Sequence, residues 1–307
     1  MALSIGISSG KGCWKTCLIE DGRVLDASSF EDAKSTFTHI EQLCAWYPEP
    51  IIALASHLAT PFCQLSTLSE NASQLFSAFP HSADEERDGF PQFLSALSSI
   101  SLTSYGLPDI KHLFSVPVHR KLYRNPMGDA SLLCSVATLL YRMRLRDAPW
   151  PQMRFYFLSI DGSTRNIAVV EDGRIIDGIG KDARLLQPAV QGLPEDAETL
   201  AQAFWESLSQ DLAGLMAIHH LEDIVLRDDS AHAGHNNSAE AALEHLGHLH
   251  QIYLFPDDEP ATHGFEVAFG AALLAQGLHY PGLAAEVVER LLSPRTLAQQ
   301  FYHDDER

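Results

Sequence analysis

The stretch LIEDGRVLD, Leu18 to Asp26, recurs as VVEDGRIID, Val169 to Asp177, in a chain of 307 residues. That repeat limits the fold more than any single motif does. An Asp-Gly between β-branched and apolar residues is the ordinary way to write a hairpin turn, so the two copies alone carry little weight. The residues ahead of each copy add the rest. LSIGISSGKGCWKTC reads as strand, Ser/Gly-rich turn, strand, and FYFLSIDGSTRNIAV reads the same way. Each half therefore opens as strand, small polar turn, strand, Asp-Gly turn, strand, and such a unit repeated at half the chain length implies two related lobes.

Between the hairpins the chain alternates helix and strand. EDAKSTFTHIEQLCAWYP has apolar residues at helical spacing and PIIALASH reads as a buried strand; PHSADEERDGFPQ is an acidic, turn-rich loop before the helical QFLSALSSI. Ala130 to Asp147 is the clearest amphipathic helix of the first half, with Asn125 and Asp129 as candidate caps. Pro149 and Pro151 forbid its continuation, so the lobes are expected to span 1–150 and 151–307. The second half continues with a long helix ending at AIHH, the strand LEDIVLRD, the helix AEAALEHLGHLH, the strand QIYLFP and the helix FEVAFGAALLAQGL. Its Gly270, Ala271 and Ala272 suit either close helix packing or the wall of a ligand cleft.

At 46% hydrophobic and 20% charged residues, the chain has the composition of a soluble globular protein with room for two cores. No apolar run reaches the roughly 18 residues of a membrane span, and MALSIGISSG lacks the basic and apolar regions of a signal peptide, so a cytoplasmic location is expected. The five cysteines have no framework spacing and read as reduced core or half-buried thiols. A net charge of -19 repels phosphate backbones and argues against nucleic-acid partners. It leaves room for a small anion, because a local cation cluster overrides the global field within a Debye length of roughly 10 Å. His119, Arg120, Lys121 and Arg124 form such a cluster.

Duplicated lobes that begin this way resemble the actin-like ATPase superfamily, which holds acetate and sugar kinases, actin and heat-shock chaperones. More narrowly, VPVHRKLYRNPMGDASLLC, FLSIDGSTRNIAVVEDGRIIDGIG and FGAALLAQGL, in that order, are similar to the family of predicted butyrate kinases. The resemblance implies an α/β fold of two actin-like, ribonuclease H-like lobes, each a mixed sheet flanked by helices, with a cleft between them. It also implies ATP and magnesium: backbone N–H groups of two Gly-containing turns cradle the phosphates, and an acid beside them serves the metal or the attacking hydroxyl. On this sequence the first turn is Ser8, Ser9, Gly10, Lys11 and Gly12, with Lys15 beyond it, and the second is Asp161, Gly162, Ser163 and Thr164. Gly270 falls to the nucleotide side by the same resemblance. Two departures stand out: Ser8 takes the place of the usual acid, and Arg227-Asp228-Asp229-Ser230 follows IVL where a Gly-Gly shelf for adenine is usual.

Each candidate has a plainer reading beside it. The cationic block either binds a ligand carboxylate or phosphate, or pairs with the protein's own acids. Asp161 is a metal-bridging or general-base carboxylate, or an Asp that holds its turn. Lys11 and Lys15 reach phosphates or are merely solvated. His232, His235, His245, His248 and His250 lack a complete metal-ligand set and read as solvated. Two functions follow: an ATP-dependent phosphotransferase for a small carboxylate or hydroxyl substrate, or a two-lobed nucleotide- or anion-binding sensor that has lost transfer. The partner is a small anion or a nucleotide, with neither membrane nor nucleic acid, and a homo-oligomer is left open.

Overall fold

The computed structural model describes residues 2–10, 13–56, 61–68, 89–161, 164–180, 197–228, 238–247, 250–256 and 260–293. In chain order these form β1 (Leu3–Gly10), β2 (Cys13–Glu20), β3 (Arg23–Phe30), α1 (Ala33–Trp46), β4 (Ile51–Ala55), β5 (Cys63–Gln64), α2 (Leu65–Leu68), α3 (Phe90–Ser99), β6 (Ser104–Gly106), α4 (Val118–Tyr123) and α5 (Ala130–Leu145). There follow β7 (Phe155–Asp161), β8 (Thr164–Glu171), β9 (Arg174–Ile179), α6 (Ala197–His219), β10 (Asp223–Asp228), α7 (Ser238–Leu246), β11 (Gln251–Leu254), α8 (Glu266–His279) and α9 (Leu283–Leu291).

The chain divides into two compact units that interleave along the sequence. The first comprises Met1–Val116, Asp129–Ala148 and Asp257–Arg307, the second Pro117–Gly128 and Pro149–Pro256. The first unit's sheet runs β3-β2-β1-β4-β6-β5 and the second's β9-β8-β7-β10-β11. In each, the first three strands are antiparallel neighbours and the next two lie parallel to the first. This is the mixed-sheet, helix-flanked lobe that the resemblance implied, built twice.

The repeat holds residue by residue. Ser4 pairs with Ile19 and Gly10 with Cys13 in the first unit; Phe155 pairs with Val170 and Asp161 with Thr164 in the second, with the sequence offset unchanged throughout. The third strands keep it too. Pairing jumps from Leu18–Asp26 to Ile19–Val24 and from Val169–Asp177 to Val170–Ile175, which leaves Leu25 and Ile176 as matching bulge residues. Both Asp-Gly turns have two left-handed residues, Asp21 (φ 49°) with Gly22 (φ 79°) and Asp172 (φ 52°) with Gly173 (φ 72°), the hairpin geometry that suits strand twist. Each glycine also lies under an aromatic ring: a Cβ on Gly22 would stand 1.9 Å from the Tyr141 hydroxyl, and one on Gly173 2.4 Å from the Trp150 indole.

Alternating apolar residues of each sheet make its core. In the first unit Ile5, Ile7, Leu18, Ile52 and Leu54 pack with Ile40 and Leu43 of α1 and Phe93 and Leu97 of α3. In the second, Leu158, Ile160, Ile167 and Val169 meet Leu208, Leu212 and Leu215, which recur at helical spacing along α6. Burying each such side chain contributes about 1.5–3 kcal/mol. Asp32 caps α1 by accepting from the Ser35 amide at 2.7 Å, and Asp129 caps α5 through the Leu132 amide at 3.1 Å.

α8 is the first unit's central helix. Ser4 Oγ donates to the Ala272 carbonyl at 2.9 Å and Thr138 Oγ1 to the Glu266 carbonyl at 2.7 Å. A Cβ on Gly6 would fall 1.8 Å from the Ala268 carbonyl oxygen, and one on Gly270 2.0 Å from that of Cys134, so β1 and α5 both approach α8 at backbone contact.

Candidate functional site

The cationic block folds as the six-residue α4, with Pro117 at its N-cap and Arg124 at its C-cap. Arg120 and Arg124, four apart, lie on one side of this turn and converge on a single carboxylate. Arg124 Nη1 lies 3.1 Å from Asp177 Oδ2, and Arg120 Nε 3.6 Å from the same atom. Arg120 Nη1 also donates to the carbonyl of the bulge residue Ile176 at 2.8 Å, an acceptor that the bulge removes from the strand ladder. His219, the last residue of α6, places Nε2 2.9 Å from Asp177 Oδ2, while the Gly178 amide donates to Oδ1 at 2.9 Å. The Asp177 side chain is wholly inaccessible, and those of Arg120, Arg124 and His219 are 15%, 12% and 4% exposed.

Buried ions persist only when paired and hydrogen-bonded, and Asp177 meets that requirement on every side. Two guanidinium groups face this one carboxylate, so these three side chains carry one formal positive charge in excess. The cluster thus holds Pro117–Gly128 against β9. Around it, His119 is exposed, Lys121 is half-buried, and Val118, Leu122 and Tyr123 expose 70%, 82% and 62% of their surface.

The remaining candidates lie on the two hairpins and on α8. Ser9 is buried in β1, and Gly10 closes the β1–β2 pairing opposite Cys13. By register, Gly10 corresponds to Asp161 and Ser8 to Ser159, so the second hairpin has aspartate at the position where the first has glycine. Asp161 and Thr164 are described as the paired backbone residues that close the β7–β8 hairpin. Lys11, Gly12, Gly162 and Ser163 lie outside the described residues, as do Asp229, Ser230, His232, His235 and His248. Lys15 Nζ donates to the Gly264 carbonyl at 2.6 Å and sits 5.8 Å from the Phe265 ring centroid, which ties β2 to the approach to α8. Gly270 packs at backbone contact with Cys134, whose carbonyl oxygen would lie 2.0 Å from a Cβ there.

Among the described residues, no three His, Cys, Asp or Glu side chains are grouped to hold a metal ion. His245 stacks flat on Trp205 at 4.8 Å. Cys17, Cys63 and Cys134 are buried thiols, and burial pushes the Cys63 thiol up to about 12. The sequence reading passed over Asp177 and His219. The available signal was that both copies of the repeated stretch end in Asp.

Two mixed sheets that share the arrangement of five strands and the same bulge, with β5 added at the edge of the first, define a duplicated α/β fold of the actin-like, ribonuclease H-like kind. The chain belongs to the family described as "Protein of unknown function (DUF1464)", whose model matches residues 6–198. No curated protein matches it. Similar solved structures include acetate kinase from Entamoeba histolytica, at 9% identity and a TM-score of 0.48 over 74% of this chain and 82% of that one. An inorganic polyphosphate/ATP-glucomannokinase from Arthrobacter sp. strain KM is 12% identical with a TM-score of 0.48, covering 91% and 100%. The activator of 2-hydroxyisocaproyl-CoA dehydratase from Clostridium difficile, with bound ADPNP, is 11% identical with a TM-score of 0.45, covering 92% and 96%. Likeness at this level does not speak to chemistry. Among the described residues no helix is long and apolar enough to cross a membrane.

Proposed function

We propose that the chain is an ATP-dependent phosphotransferase acting on a small carboxylate or hydroxyl substrate, in the manner of a butyrate kinase. The observation that carries this reading is the twofold hairpin: two turns at register-equivalent places, SSGKG and DGST, each rich in the small residues that bring backbone N–H groups to an anion. Their donor chemistry fits the cofactors. Backbone amides and hydroxyls of Ser9, Gly10, Gly12, Gly162, Ser163 and Thr164 and the Lys11 ammonium are groups that suit phosphate oxygens, and the Asp161 carboxylate is a hard ligand of the kind magnesium takes. Bound ATP supplies the phosphoryl group. Asp161 holds the metal or takes the acceptor's proton, and the positive excess at Arg120 and Arg124 attracts the substrate anion.

A second reading has specific support. Ser8 has a hydroxyl in place of a carboxylate, Lys15 spends its ammonium on Gly264, and Asp177 already engages both arginines. These features suit a nucleotide- or anion-binding protein without transfer.

Thermal shift of the full chain with ATP and magnesium, followed by ADP release with acetate, butyrate or simple alcohols as acceptors, tests both. Magnesium-dependent stabilisation and acceptor-dependent ADP release, both reduced in Asp161→Asn, are the result expected. Stabilisation without turnover would select the binding protein, and no stabilisation by nucleotide or by the carboxylates would sink both readings.

A further inference from the structure

Asp26 and Asp177 are equivalent: each ends one copy of the repeat, pairs with the matching residue of the middle strand and follows the bulge residue. Each also bonds a histidine of a helix that follows it, through the same pair of atoms. His39 Nε2 lies 2.9 Å from Asp26 Oδ2, as His219 Nε2 lies 2.9 Å from Asp177 Oδ2. The two sites part company at this point. Asp177 is covered by Arg120 and Arg124 and has no accessible surface, whereas the Asp26 side chain is 32% exposed and its other bond comes from Ser28 Oγ at 3.0 Å.

The bulge carbonyl repeats the contrast. Ile176 gives its oxygen to Arg120, but no side chain among the described residues donates to that of Leu25, a residue 37% exposed. Beside His39 opens a groove of about 420 Å³, a size that small ligands occupy, whose wall includes Phe30, Asp32, Lys34, Thr38 and Gln42. Phe30 and His39, both on the groove wall, lie ring against ring at 5.0 Å, and the His39 bond to Asp26 ties the groove to that carboxylate. Lys34 is the opposing cation in this groove; Asp32, whose carboxyl the Ser35 amide holds below the usual range, offsets it.

We infer that Asp26, the Leu25 carbonyl and the groove at His39 form a docking site for an arginine side chain presented by a partner polypeptide. The first unit then receives from outside what the second receives from its own residues 117–128. Arginine is the matching cation because one guanidinium can face the carboxylate and donate to the bulge carbonyl together, as Arg120 does; an ammonium lacks that fork. The net charge of -19 favours the approach of any cationic segment, so charge attraction alone has to be separated from this geometry. The inference stands whether or not the chain transfers phosphate.

The probe is the chain's own insert as a synthetic peptide, PVHRKLYRNPMG, titrated into the full-length protein by calorimetry. Saturable binding is expected, weakened about tenfold or more by Asp26→Asn and by a peptide carrying lysine at both arginine positions, the scale of one charge-assisted hydrogen bond. Nuclear magnetic resonance of the unaltered protein, with shifts at Leu25, Asp26 and His39 on peptide addition, locates the site even if the variant folds poorly. Absence of saturable binding, equal affinity of the lysine peptide, or shifts confined to Asp177 and His219 would overturn the inference.

Discussion

Asp26 and Asp177 show how one residue in one backbone setting acquires two energetic roles. Removing a buried carboxylate that two guanidinium groups share strands both cations, so Asp177→Ala is expected to cost about 3–5 kcal/mol. Asp26 is a third exposed and pairs with one histidine and one serine, so Asp26→Ala is expected to cost about 1 kcal/mol or less. Urea unfolding of the two variants checks the difference, and equal losses would mean that burial at Asp177 contributes nothing. The residues of this cluster were only half legible in the sequence. Four donors within six residues announce a need for negative charge, and the choice between a ligand and an internal acid was visible. Which acid answers was not, because Asp177 lies 53 positions beyond Arg124 and its strand periodicity says which face it takes, not which side chain reaches it.

At the scale of elements, local patterns were readable and long-range packing was not. The hairpins follow from Asp-Gly turns and alternation within about ten residues, so they appear where they were read. The compact helix near the end, α8, was also legible as a helix, but nothing local says that β1 is its neighbour. That contact depends on Gly6 and Gly270, whose meaning emerges only when two backbones meet. Gly6→Ala and Gly270→Ala should each lower stability by about 3 kcal/mol or more, since a methyl group would have to push apart atoms of two elements. Gly214 is the control: it sits on the exposed face of α6 with nothing within 4 Å of a Cβ, so Gly214→Ala should raise stability by about 0.5–1 kcal/mol. Thermal or urea denaturation of the three variants should give two losses and one gain.

For the whole molecule, the interleaved units decide what a shortened chain can do. A chain ending at Pro256 lacks α8 and α9, hence the helix against β1, but keeps every described strand of the second sheet. Hydrogen exchange on that chain should show β1 and β4 amides unprotected while those of β7 and β8 stay protected. Protection of β1 at its full-length level would mean that the first sheet holds without its covering helix.

The same interleaving sets an order of events on the ribosome. α8 is made some 260 residues after β1, so at synthesis rates of about 5–20 residues per second β1 waits roughly 13–50 s for the helix that shields it. The second unit's residues all emerge before that helix does. Of the two units, the first is therefore begun before the second and finished after it, and β1 spends that interval as a client for whatever chaperone attends the nascent chain.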